Sequence, residues 1–228
     1  MNNSRSKLLK IISTTNYGTS RWAASSLSSN DYNLNNWEQS DIATTLNNNY
    51  IGNLFNISEF HSKFANQRNG LAQAKWHLGG ANSSTYNWEQ VTAADMYAIE
   101  RNTSAVYSSN PSYSFGYVGL MYPSDYGYAA DLNQCKDKTL YDYDNRTCTS
   151  NNWMKAIITN NGSNTGWLLT PFSGCSYGAW SVFSGGHVYY NGNAYYAYGA
   201  VPVLSLSSEL GIESGGDGSS SKPYKLSA

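Results

Sequence analysis

Hydrophobic positions along the chain change rhythm near residue 103. Before it, they recur at helical spacing. Ile42, Leu46, Tyr50 and Leu54, with Ala43 and Ile51 beside them, predict an amphipathic helix over 38–55 that turns one face to the core. Ser40 is its natural N-cap and Asp41 sits in the first turn. A shorter helix is expected over 58–66, capped by Ser58, with Phe60 and Phe64 four apart. A third is expected over 92–102, where Thr92 and Asp95 give a capping-box start before Met96 and Ile99. Ahead of these, KLLKII at 7–12 reads as a strand and 24–36 as a Ser/Asn-rich loop. After residue 103 the apolar runs are short and rich in Tyr, Val, Trp and Phe, bounded by Gly, Pro, Asn and Ser. This pattern predicts strands at 118–122, 166–172, 179–183, 187–190 and 200–206. A Gly/Ser turn at 214–221 then leads to a last short strand around Tyr224–Leu226. Helices first and strands second, without βαβ alternation, is the α+β order. The triplets Trp37-Glu38-Gln39 and Trp88-Glu89-Gln90 match, but their surroundings do not, so no repeat is read from them.

Composition narrows the class. The chain has 228 residues, a net charge of -1, 13% charged and 14% aromatic residues. Charged residues reach only about half the roughly 25% of ordinary soluble domains. The aromatic load argues against disorder. Near-neutral charge removes the electrostatic footprint of a nucleic-acid binder. No apolar run approaches the roughly 20 residues of a membrane span. One domain covering 1–228 is expected, with 1–36 as an N-terminal strand and loop.

Cys135 and Cys148 flank the polar loop KDKTLYDYDNRT. A disulfide closing a loop of this size contributes about 3 kcal/mol in the chain-entropy model. Three buried thiols are the alternative. Cys175, in a Ser/Gly turn, is expected to be unpaired. His61, His77 and His187 lie far from the pair in sequence, and there is no C-x-x-C, so a zinc site is poorly supported.

Catalytic signatures are missing. There is no G-x-S-x-G, no H-E-x-x-H and no EF-hand loop. His61 and His77 read as structural, and His187 as a contact residue. Asp131, Asp137, Asp142 and Asp144 read as a solvated loop, and Asp125 as a turn or hydrogen-bond acceptor. No metal or cofactor is expected.

The informative stretch is the last third. From Ala156 to Ser208, 53 residues carry no formal charge. Within it, 15 of the 24 residues of 175–198 are Tyr, Gly, Ser or Asn. Antibody paratopes use this alphabet: Tyr gives large amphipathic contact at low rotamer cost, and Ser, Gly and Asn give adaptable hydrogen bonds. Strand alternation cannot bury all of these Tyr side chains. The expected ligand-binding face comprises Tyr177, Trp180, His187, Tyr189, Tyr190, Asn191, Asn193, Tyr195, Tyr196 and Tyr198, forming one exposed, uncharged patch. Val182, Val188, Val201 and Val203 take the inward positions. A Tyr-rich core edge, or packing on a partner domain, is the alternative.

These residues carry a resemblance. VGLMYPSDYGYA (118–129), the Cys135 and Cys148 positions, WLLTP (167–171), YGAVPVLSL (198–206) and the terminal GDGSSSKPYKL (216–226) resemble a bacterial family of surface domains. Upstream, 37–50 and 97–107 fit the same pattern. The family has a C-type-lectin-like fold, related to that of the formylglycine-generating enzyme. The resemblance implies two main helices packed on a twisted, mostly antiparallel sheet with long loops. It also places Cys135 and Cys148 at the family's loop staple. A narrower resemblance is to the variable proteins of diversity-generating retroelements, whose C-terminal variable region has the composition of 175–198. It implies a hypervariable face set among scaffold positions Ala179, Trp180, Val182, Val188 and Ala194, so Trp180 is placed in both sets. The enzyme's catalytic cysteine pair and the calcium motifs of sugar-binding lectins have no match here. The reading is a non-catalytic, adhesin- or receptor-type domain. It lies outside the cell or at its surface, with an export or anchor segment expected upstream, and meets an external protein or glycan through 175–198. A structural surface subunit, pilin-like or sheath-like, is the alternative. A formylglycine-generating-type enzyme is a more distant one.

Overall fold

A computed structural model describes residues 8–29, 31, 34–56, 71–144, 146–158, 164–207, 211–217, 221–222 and 225–227. The chain is mixed α+β, with 28% helix and 26% strand. The helix expected over 58–66 and its residue His61 lie outside the described residues.

The expected helices form around their caps. Ser40 Oγ accepts the Ala43 N–H at 3.1 Å, and a helical segment follows as Asp41–Thr45, a π-helical turn Leu46–Tyr50, and Ile51–Asn56. Asn47 sits in the π turn. Its Nδ2 donates to the carbonyls of Ala43 (3.0 Å) and Val118 (2.8 Å), and its Oδ1 accepts the N–H groups of Tyr117 and Val118. The widened turn thus clamps a strand to the helix, a functional use typical of π turns. Thr92 and Asp95 form the capping box of the helix Ala93–Glu100.

Five strands make the main sheet. They are β2 (Thr19–Arg21), β6 (Thr165–Pro171), β7 (Gly178–Phe183), β8 (Val188–Asn193) and β9 (Ala197–Gly199), in the order β2-β9-β6-β7-β8. Among the described strands of this sheet, β6 and β9 pair in parallel and the others antiparallel. The central strands β6 and β7 are covered on both faces: six of the seven residues of β6 and five of the six of β7 are buried, the polar Thr170 and Ser181 included. A second sheet runs β1 (Leu9–Ile12), β10 (Pro202–Leu206), β5 (Val118–Leu120). Two antiparallel two-stranded pairs are also described: β3 (Ala74–His77) with β4 (Tyr113–Gly116), and β11 (Gly211–Ile212) with β12 (Leu226–Ser227). Trp22, Trp167, Trp180, Tyr126 and Tyr143 are the largest fully buried side chains.

One expectation needs correction. Helix and strand are not segregated along the chain. The N-terminal strands β1 and β2 pair with β10 and β9 near the other end, and four short helices lie at Pro123–Tyr128, Leu132–Cys135, Arg146–Ser150 and Trp153–Ile158. The first of these starts on Pro123, which fits a first helical turn, and the Asp125 carboxylate accepts the Tyr122 N–H at 3.0 Å.

Candidate binding face

The Cys135–Cys148 disulfide is formed, with Cα atoms 5.8 Å apart, and Cys175 is a free, half-buried thiol. The stapled segment supports the β7–β8 turn. Tyr143, fully buried within the staple, donates its hydroxyl to the carbonyls of Gly127 (3.2 Å) and Cys135 (3.1 Å). Its pKa is pushed up to about 12, mainly by burial. Thr149 Oγ1 hydrogen-bonds the carbonyl of Tyr143 and also lies 3.2 Å from that of Gly185. Tyr126 donates to the Gly186 carbonyl at 2.9 Å. Gly186 must be glycine for two reasons: its φ is +101°, and a Cβ there would lie 2.8 Å from Thr149.

A second anchor holds the turn before β7. The fully buried Asn35 donates from Nδ2 to the carbonyls of Phe172, Cys175 and Gly178 at 2.9–3.0 Å, and its Oδ1 accepts from Asn110 at 2.9 Å. The turn that carries Tyr177 is therefore built on a buried amide. Both ends of β7 are fixed, which suits a face that must present side chains in defined positions.

On this frame the segment 175–198 divides cleanly. Ala179, Trp180, Val182, Val188 and Ala194 are all fully buried. Tyr177 and Tyr196 are 51% and 54% exposed, and His187, Tyr189, Tyr190, Asn193, Tyr195 and Tyr198 are half-buried. Trp180 is thus a core residue and not a contact residue, because it lies on a central strand covered on both faces. The side chain of Asn191 lies outside the described residues. Asn193 serves its own turn: its Oδ1 accepts the Tyr195 N–H at 3.0 Å and its carbonyl the Tyr196 N–H at 2.8 Å. Val201 and Val203 are buried, as expected for inward positions.

The aromatic side chains do not form one patch. Around β8, Tyr189 and Tyr190 meet Trp88 at 4.6 and 5.1 Å between centroids, and Tyr141 meets Trp88, Tyr189 and His187. Tyr190 stacks on Phe172 at 3.7 Å, and His187 on Phe183 at 4.9 Å. Around β9, Tyr198 packs on Trp167 at 4.5 Å with Tyr196 beside it, and the Arg21 guanidinium lies 4.1 Å from the Tyr195 ring centre. β6 and β7 separate the two groups, so the face has two aromatic ends, and Arg21 brings a cation to one of them. Burial raises the pKa of both Tyr189 and Tyr198. Compared with family models, with curated proteins and with solved structures, the chain matches none.

Trp88 and Tyr141 were not read as site residues from sequence. Each lies in a short polar stretch far in sequence from 175–198, and the only local signal is a second aromatic two positions away, Tyr86 for Trp88 and Tyr143 for Tyr141. Among the described residues, no three His, Cys, Asp or Glu gather as a metal site, and no helix is long and apolar enough to cross a membrane.

Proposed function

We propose that this chain is a non-catalytic binding domain that meets an external protein through the 175–198 face, with Trp88 and Tyr141 as part of it. The observation that carries this reading is the division of the segment: buried scaffold positions are interspersed with partly exposed Tyr and His around a doubly anchored hairpin. A scaffold that fixes the backbone and leaves the outward positions free tolerates many outward sequences, which is what a variable, paratope-like surface requires. The C-type-lectin-like fold, the surface location and the kinship with retroelement variable proteins belong to the same proposal. The disulfide fits an oxidising compartment. A reverse-transcriptase gene and a near-identical template repeat beside this gene would support the variable-protein reading; a gene neighbourhood of pilus or sheath components without them would oppose it. One observation favours the structural-subunit reading: Tyr113 and Phe115 on β4 are 42% and 58% exposed and touch edge-to-face at 5.6 Å, away from the 175–198 segment. Sedimentation of the purified chain at rising concentration distinguishes the two, since a sheath subunit assembles and a receptor domain stays monomeric.

A further inference from the structure

A concave site lies outside the aromatic face. A groove of about 450 Å³ runs between the loop Ser84–Val91 and the outer side of the helix Ala93–Glu100. This lies within the roughly 300–1,000 Å³ of small-ligand sites. Its apolar floor is Val91, Ala98 and Ile99; Thr85, Asn87 and Gln90 stand around it. None of the lining residues belongs to 175–198, and Trp88, in the same loop, makes its ring contacts with Tyr141, Tyr189 and Tyr190.

The loop is held in shape without the side chains of Thr85 and Gln90. Asn82 Oδ1 accepts the N–H groups of Ser84 (2.9 Å) and Tyr86 (3.1 Å), its backbone carbonyl accepts the Trp88 N–H at 3.0 Å, and Asn102 donates to the Tyr86 hydroxyl at 2.6 Å. The groove therefore exists before any ligand arrives, which lowers the ordering cost of binding. Its polar groups are largely unspent. Asn87 Oδ1 accepts the Glu89 N–H at 3.2 Å, whereas the Asn87 Nδ2, the Thr85 hydroxyl and the whole Gln90 amide have no hydrogen-bond partner among the described residues. Asp95 is the one charged residue in the lining, and its Oδ2 is already engaged by the N–H and hydroxyl of Thr92.

We infer that this groove is a carbohydrate subsite for a neutral sugar unit. A pyranose has an apolar C–H face and a rim of hydroxyls that both donate and accept. The floor of Val91, Ala98 and Ile99 matches the face. Amides and a hydroxyl, which also donate and accept, match the rim. With no cation in the lining and one carboxylate, the groove disfavours uronic, sialic, sulfated and phosphorylated sugars by like-charge repulsion. The ligand class and the site both differ from those of the aromatic face, so either reading can fail alone.

The test is an array of immobilised oligosaccharides ending in neutral hexoses or N-acetylhexosamines, alongside sialylated, uronic and sulfated glycans. The whole chain should bind members of the neutral set and not the acidic set. The best neutral glycan is then titrated by calorimetry. The Thr85→Ala/Gln90→Ala variant, altered only at exposed side chains that hold nothing in the loop, should lose about tenfold in affinity, and Ala98→Trp, which fills the groove, should abolish binding. Tyr196→Ala should bind as the wild type does. Absence of binding to any neutral glycan, equal binding to acidic ones, or wild-type affinity in the Thr85→Ala/Gln90→Ala variant would overturn the assignment.

Discussion

Trp88 and Tyr189 meet with ring centroids 4.6 Å apart and planes tilted by 55°. Tyr189 and Tyr190 are successive residues of β8, the last described strand of its sheet, yet their rings also meet each other, 4.8 Å between centroids. One indole touches both, so the three rings form a single cluster. The cluster fixes these rings relative to the sheet.

Trp88→Ala should therefore destabilise the domain by about 2 kcal/mol, below the 3–5 kcal/mol of a fully buried Trp because this one is half-exposed. Urea unfolding measures it as a lower midpoint at unchanged slope. A shift under about 0.5 kcal/mol would mean the cluster adds nothing to the fold.

The two aromatic ends should respond differently to truncation. Tyr196 is 54% exposed, so Tyr196→Ala should change stability by less than about 0.5 kcal/mol. Tyr190 lies stacked 3.7 Å from Phe172, and its loss should cost about 1–3 kcal/mol. In a complex with the partner, Tyr196→Ala should weaken binding by about 1–2 kcal/mol if it is a hot spot. Paired thermal melts and titrations separate the effects. Equal destabilisation by both variants would make Tyr196 a core residue.

The staple gives a third expectation. Cys135 and Cys148 are 13 residues apart, and opening that loop should cost about 3 kcal/mol in the chain-entropy model. The effect should not stay local. Thr149, next to Cys148, bonds the carbonyls of Tyr143 and Gly185, and Tyr126, whose neighbour Gly127 accepts from Tyr143, holds that of Gly186. Amide hydrogen exchange in Cys135→Ala/Cys148→Ala should thus quicken at 185–190 as well as at 135–148. Acceleration confined to 135–148 would show that the hairpin stands without the staple.

Local chemistry was legible in the chain, and distant pairing was not. The Ser40 cap and the Thr92/Asp95 box act within one helical turn, so sequence displays them in full. The buried set Ala179, Trp180, Val182, Val188 and Ala194 follows from apolar identity among polar neighbours. By contrast, β1 pairs with β10 across nearly the whole chain, Leu9 opposite Leu206, and neither segment carries a mark of the other. The division of the Tyr face into two ends depends on β6 and β7 lying between β8 and β9, a matter of strand order and not of composition. Trp180 shows the ambiguity of an aromatic residue in such a segment: its type suits a contact surface, and only the covered central strand makes it core.

The last prediction concerns Glu100, a fully buried carboxyl at the end of the helix Ala93–Glu100. Its oxygens accept the Ser124 N–H (3.0 Å), the Ser124 hydroxyl (2.6 Å) and the Arg101 guanidinium (3.1 Å). Burial outweighs these bonds, and the neighbouring Asp125 adds to it, so the pKa rises from the ordinary 4.5 to about 7. A raised carboxyl pKa means the folded state holds a proton that the unfolded state releases. The resulting stability is fully present below about pH 4.5 and is lost as pH rises through about 7. The shift corresponds to about 3 kcal/mol. Glu100→Gln cannot ionise, so its stability relative to the wild type should improve by about that amount between pH 4.5 and pH 8. Other carboxyl groups are common to both proteins and cancel in the difference. Urea unfolding of the pair across this range decides the matter: a difference that stays flat with pH would show that Glu100 is ionised in the fold throughout, held so by Arg101 and Ser124.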